Sequence, residues 1–200
     1  MPKTNFAHVD QWVFDLDNTL YPPQARLFDQ IERKMIRYVM DQLGVSRERA
    51  DQLRHHYWTT YGTTLAGLMR EHDLDPDPYL IDVHEISLDH LEPDTQLAAH
   101  IKDLPGRKIV YTNGSENHAI RVLAARGLTG VFDAIYGIEH SDFLPKPGAD
   151  AYAAIMQRDG FDPKTATMFE DDPRNLEIPY ALGMRTVLVG PKVERPYLHH

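Results

Sequence analysis

The sequence predicts an α/β protein: a five-stranded parallel sheet with an all-helical insertion after the first strand. Three observations carry this. Short apolar, β-prone segments recur along the chain and, from residue 94 onward, alternate with helical patterns. Residues 24–91 show helical periodicity and no convincing strand. Acidic and small polar residues collect just beyond the carboxyl ends of the strand segments, where ligands of open parallel sheets bind.

The first strand is Gln11 to Leu16, QWVFDL, and Pro22-Pro23 forbids its continuation. Leu27, Ile31, Met35 and Tyr38-Val39 then recur at helical spacing. Gly44 breaks that pattern, and Ser46 is a good N-cap for a helix from Arg47 to about Tyr57. Leu65, Leu68 and Met69 give a short helix, and Asp75-Pro76-Asp77-Pro78 reads as a turn. The remaining strands are Lys108–Thr112, Ala134–Ile138, Thr165–Glu170 and Arg185–Val189. Helices over Leu97–Leu104, Glu116–Arg126, Ala149–Arg158 and Asn175–Leu182 alternate with them. The expected division is a core of residues 1–20 and 92–200 around an inserted unit of residues 21–91.

The 200 residues suit one domain carrying an insertion. With 21 basic and 30 acidic side chains the net charge is −9, which gives no electrostatic footprint for a nucleic-acid polymer. Cysteine is absent, so disulfide, zinc-thiolate and iron–sulfur sites are excluded. No segment approaches the apolar length of a membrane helix, and the first residues hold no apolar signal core. The expectation is a soluble, cytoplasmic monomer or homodimer that binds no membrane. His84 and His90 lack the His-Glu-x-x-His spacing, His55 and His56 are adjacent and point apart on a helix, and these four read as surface residues.

The chemistry collects at the strand ends. Asp15 and Asp17, two apart, share one side of an extended segment. Asp171 and Asp172 add two carboxylates from a neighbouring strand. Such a cluster repels itself unless a hard cation sits among it, and oxygen donors suit Mg²⁺. Lys146 adds a positive charge, while Thr112 and Asn113 add neutral donors. Acids around a metal, a cation and neutral donors form a cradle for a phosphoryl group. One carboxylate can then attack phosphorus while another moves the proton.

DLDNTLYP at Asp15–Pro22, YTNG at Tyr111–Gly114, KP at Lys146–Pro147 and EDDPRN at Glu170–Asn175 resemble the four motifs of the haloacid-dehalogenase-like hydrolase superfamily. The resemblance implies a Rossmann-like core with a helical cap, and a Mg²⁺-dependent phosphomonoester hydrolase working through an aspartyl-phosphate. By the same resemblance Asp15 is the nucleophile and Asp17 the general acid/base, its backbone carbonyl also touching the metal. Thr112 and Lys146 contact phosphate and nucleophile, Asp172 is the metal carboxylate, and Asp171 shares that role directly or through water.

The cap stretch Tyr57–Leu68, Tyr21-Pro22, and Asn113-Gly114 followed by His118 are similar to the pyrimidine 5′-nucleotidase-like subgroup. This implies a small phosphorylated metabolite, a pyrimidine nucleoside 5′-monophosphate above all. Asn18 and Asn113 are the expected polar substrate contacts. Tyr57, Trp58 and Tyr61 offer faces for a base, against the alternative that they pack in the cap. Competing readings are a phosphotransferase or mutase on a sugar phosphate and a phospho-aspartate receiver module. A dehalogenase has no need of Asp17, and a phosphonate hydrolase needs a cap lysine better placed than Lys34.

Overall fold

The structure is a computed structural model that describes residues 6–191 and 194–199. The outermost residues of the expected core segment, 1–5 and 200, lie outside the described residues. Five parallel strands are ordered β3-β2-β1-β4-β5. They are β1 (Gln11–Phe14), β2 (Arg107–Tyr111), β3 (Ala134–Tyr136), β4 (Ala166–Glu170) and β5 (Arg185–Leu188). The central strand β1 pairs with β2 on one side and β4 on the other. The chain winds outward from β1 in one direction through β2 and β3, and in the other through β4 and β5. The crevice of such a sheet opens where that direction reverses, beyond the carboxyl ends of β1 and β4.

Between β1 and β2 lie α1 (Leu27–Leu43), α2 (Arg47–Tyr61), α3 (Thr64–His72), α4 (Pro76–His84) and α5 (Thr95–Lys102). Ser46 caps α2 by accepting from Arg49 N. Helix α4 replaces the turn expected at Asp75–Pro78. Asp75 accepts from Asp77 N as an N-cap and Pro76 takes the first helical position, where its missing N–H costs nothing. An Asp-Pro pair signals a turn or a helix start equally well, and here the apolar Tyr79, Leu80 and Val83 settle it as a helix by burying one face. Helices α6 (Glu116–Ala125), α7 (Ala149–Asp159) and α8 (Glu177–Ala181) complete the alternation. Among the described residues no helix is long and apolar enough to cross a membrane.

Alternation along β1 divides the core. Trp12 and Phe14 join a hydrophobic cluster that continues without a break into Leu27, Ile31, Val39, Leu68, Tyr79 and Val83 of the inserted helices. Val13 faces the other way, onto Ile109, Tyr111, Tyr152 and Met168. Phe14 stacks on Phe169 of β4, with centroids 4.5 Å apart and planes 7° apart. The apolar core of the insertion is therefore continuous with that of one face of the sheet, and its helices line the cavity at the strand ends.

Candidate active site

The register that pairs Phe14 with Phe169 sets Asp15 beside Glu170. Asp15 N donates to Phe169 O at 2.9 Å, so the backbone fixes the carboxylate although β1 itself ends at Phe14. Lys146 reaches between the two acids. Its Nζ donates to Asp15 Oδ1 at 2.7 Å, to Glu170 Oε2 at 2.6 Å and to Tyr111 O at 3.1 Å. All three side chains are buried. Lys146 is held in place through its backbone: Lys146 N donates to Asn113 Oδ1 at 2.8 Å, and Asn113 Nδ2 donates back to Lys146 O at 3.1 Å.

Carboxylate oxygens of Asp15, Glu170 and Asp171 lie within 4.8 Å of one another. Burial, aided by Glu170, pushes the Asp15 carboxyl up to about 7 against the pull of Lys146. Burial also carries Glu170 up to about 7 and, with Asp15 beside it, Asp171 up to about 6. For Lys146 burial opposes the charge, but Asp15 and Glu170 outweigh it and hold the ammonium well above its ordinary value. One lysine does not neutralise three acids. An all-oxygen set with raised proton affinity fits a hard divalent cation, which would take the place of those protons.

Asp172 stands outside this set. Arg174 Nη2 binds its Oδ2 at 2.7 Å and Arg174 Nε at 3.0 Å, and Arg174 N donates to its Oδ1 at 3.0 Å. Asp172, the expected metal carboxylate, is paired with Arg174, and it is Glu170 that stands with Asp15 and Asp171 in the carboxylate group. Asp17 also lies outside the group. Its Oδ1 accepts from the Tyr21 hydroxyl at 2.6 Å and lies 3.1 Å from His118 Nε2. Burial opposes its charge, yet His118 and Tyr21 prevail and hold its carboxyl below the usual carboxylate range. Asn18 adopts a left-handed φ of 58° and its Nδ2 donates to Asp171 Oδ2 at 3.3 Å. Thr112 is buried, with its Oγ1 accepting from Gly114 N at 2.9 Å.

These groups form one side of a cavity of about 520 Å³. The inserted helices form the other side with Phe28, Ile31, Met35, Leu65, Leu80 and Val83, together with Arg54, Tyr79 and Trp58. Trp58 lies under the Arg174 guanidinium, 3.7 Å from its ring centroid. Tyr57 and Tyr61, expected at the substrate, are elsewhere. Tyr57 is fully buried, bonded to His72 Nε2 at 2.7 Å, and fills the space left by Gly67, where a Cβ would sit 2.2 Å from its ring. Tyr61 donates to Glu71 Oε1 at 2.9 Å and lies outside this cavity.

His84 corrects the surface reading: it is buried, lines the cavity and stacks on His118. Sequence reasoning misses Glu170 and Tyr21 as site residues. The strand register is the available signal for Glu170, because the residue after Phe169 must lie beside the residue after Phe14.

The model of the haloacid dehalogenase-like hydrolase family matches residues 12–189. Among curated proteins, the chain is 24% identical over 192 residues to phosphate metabolism protein 8 of Saccharomyces cerevisiae, covering 88% of this chain and 60% of that protein. The chain thus spans less than two thirds of that relative's length. It is 27% identical over 182 residues to the fructose-1-phosphate phosphatase YqaB of Escherichia coli, covering 88% of this chain and 93% of that one. A solved HAD phosphatase from Thermococcus onnurineus superposes with a TM-score of 0.62 at 19% identity, covering 94% and 90% of the two chains. The family model spans all four strand-end motifs and the helices between them, and on that extent the chain belongs to the haloacid dehalogenase-like hydrolase family.

Proposed function

We propose that this protein is a Mg²⁺-dependent phosphomonoester hydrolase acting through an aspartyl-phosphate on a small metabolite, a pyrimidine nucleoside 5′-monophosphate being the leading candidate. The observation that supports it most is the Asp15–Lys146–Glu170 cluster, with Asp171 beside it, at the carboxyl ends of β1 and β4. Asp15, Glu170 and Asp171 would hold the metal. Bound there, Mg²⁺ supplies positive charge that offsets the phosphoryl oxygens and keeps Asp15 ionised.

Asp15 attacks phosphorus, the ester P–O bond breaks, and its electron pair leaves with the alcohol oxygen. Asp17, ionised at rest, takes the proton that a monoprotonated phosphate ester brings and passes it to that oxygen. The second pKa of such an ester is about 6, so this form is present near neutrality. Asp17 then accepts a proton from the water that hydrolyses the aspartyl-phosphate. Lys146 steadies Asp15 and the incoming oxygens.

The organic part of the substrate meets Phe28, Ile31, Met35, Leu65, Leu80 and Val83. The apolar part of that wall favours a flat, weakly polar group, while Arg54, His55, Thr63 and Thr64 offer the polar contacts on the same side. The name of the Escherichia coli relative favours a sugar phosphate instead.

A single set of assays decides. The protein with Mg²⁺ should hydrolyse p-nitrophenyl phosphate, EDTA should silence it, and Asp15→Asn should lose at least about 10³-fold in kcat. Uridine and cytidine 5′-monophosphates should exceed fructose 1-phosphate in kcat/KM. Wild-type turnover by Asp15→Asn would refute the mechanism, and a sugar-biased profile would refute the substrate.

A further inference from the structure

Two histidines remain without a role. His118 is buried on the first turn of α6, with its backbone N–H capped by Ser115 Oγ at 3.2 Å. Its ring stacks on His84 of α4, with centroids 4.3 Å apart and planes 13° apart. His84 Nδ1 lies 3.1 Å from Ser115 Oγ. Arg121, one turn further along α6, donates to His84 O at 2.9 Å and to Ile86 O at 3.1 Å, which anchors the end of α4. Gly114 clears the approach: a Cβ there would sit 3.2 Å from His118 Cδ2 and 3.4 Å from His84 Nε2.

Packing alone does not account for this pair. Two phenyl rings would fill the same space without burying polar nitrogens, and His118 Nδ1 is buried with no hydrogen-bond partner among the described residues. That cost is offset at the other nitrogen, because an ionised Asp17 has no proton to give and His118 Nε2–H must donate to it. The Tyr21 hydroxyl donates to the same Oδ1. Among the described residues no donor reaches Oδ2, and Asp17 lines the cavity.

We infer that His118 is a positioning residue: with Tyr21 it pins Oδ1 of Asp17 so that Oδ2 alone faces the departing oxygen, and His84 braces its ring from the inserted helices. The inference rests on the phosphomonoester hydrolase reading. In the step concerned the P–O bond breaks, the electron pair goes to the leaving oxygen, and the proton on Asp17 Oδ2 accompanies it. A misaimed Asp17 therefore matters for a poor leaving group and hardly at all for one that departs as a stable anion.

The test compares kcat/KM, which reports only steps up to leaving-group loss, for a simple alkyl phosphate and for 2,4-dinitrophenyl phosphate. His118→Phe keeps the stack on His84 and removes the donor. It should lose roughly tenfold to a hundredfold on the alkyl ester, the range for a hydrogen bond to a charged group, and less than about threefold on the dinitrophenyl ester. His118→Gln, which returns an N–H at similar reach, should recover part of the loss. Should His118→Phe fail to fold, Tyr21→Phe removes the other donor and should show the same leaving-group bias. Equal losses on both esters, or none on either, overturn the inference while leaving the hydrolase reading intact. A wild-type protein that cleaves neither ester with Mg²⁺ present overturns both.

Discussion

The two sides of the central cavity are built on opposite principles. The floor, at the ends of β1 and β4, is charged and tightly cross-bonded: Lys146 alone joins Asp15, Glu170 and the Tyr111 carbonyl. The ceiling, from α1, α3 and α4, is mostly apolar, with Phe28, Ile31, Met35, Leu65, Leu80 and Val83. A cross-bonded floor holds reacting atoms to within tenths of an ångström, as bond-making demands. An apolar ceiling excludes water and selects by shape, with modest discrimination per contact. Floor variants should therefore alter turnover for every substrate, and ceiling variants should alter the ranking of substrates.

The strongest attack on that contrast is Lys146→Met. It leaves Asp15 and Glu170 buried without their cation, so kcat should fall by at least about 10²-fold for all esters, and stability by roughly 3–5 kcal/mol. Denaturant titration and kinetics together check this. A substrate-dependent loss would mean that the floor also selects.

Next in size is Gly67→Ala in α3. Its Cβ would collide with Tyr57, costing about 1–3 kcal/mol, as an overpacked core does. The melting temperature should drop, while kcat on p-nitrophenyl phosphate well below melting stays within about twofold. A matching collapse of kcat would show that the ceiling holds the floor in shape.

The stacked histidines join the two sides, and acid reads their junction. Burial, with His118 adding to it, depresses the His84 imidazole to about 3 from its ordinary 6.5. In that window the unfolded chain binds a proton that the folded one refuses. Stability from this group is thus complete above 6.5 and declines as pH falls toward about 3. His84→Phe should flatten that limb of a denaturation-against-pH curve, and an unchanged limb would remove the assignment.

The smallest effect belongs to Trp58→Ala, at the rim where ceiling meets floor. Losing the Arg174 contact should raise KM about two- to tenfold and leave kcat within about twofold. An equal fall in kcat would place Trp58 with the floor.

The floor was largely legible in the sequence because its chemistry is local. Asp15 and Asp17 share a strand end, Lys146 sits in a short Pro-Lys-Pro loop, and each motif closes a β-prone run. Two adjacent aspartates, however, look alike in a sequence. Only the fold shows that Asp172 pairs with Arg174, and only the pairing of β1 with β4 brings in Glu170. The ceiling was much less legible. Tyr57 lies inward because Gly67, ten residues later, leaves room for its ring. His84 is buried because α6 supplies both a ring to stack on and an arginine for its carbonyl. Contacts between elements distant in the chain leave little trace in composition or period.

Strand order has a consequence for how such a chain reaches its fold. The central strand pairs with β2, Gln11 meeting Arg107, and with β4, Gln11 meeting Ala166. Both partners are distant in the chain, and the helical insertion lies between β1 and either of them. Closing loops of this length costs entropy before any pairing rewards it. During synthesis Trp12, Val13 and Phe14 emerge first and stay without a sheet partner until Tyr111 has left the ribosome. The helices of the insertion, whose bonds are local, form in the meantime, while the ring partners of Phe14, Phe132 and Phe169, come later in the chain. The central strand is thereby the first made and among the last to be covered, and its exposed apolar run is the segment most open to wrong pairing in the meantime.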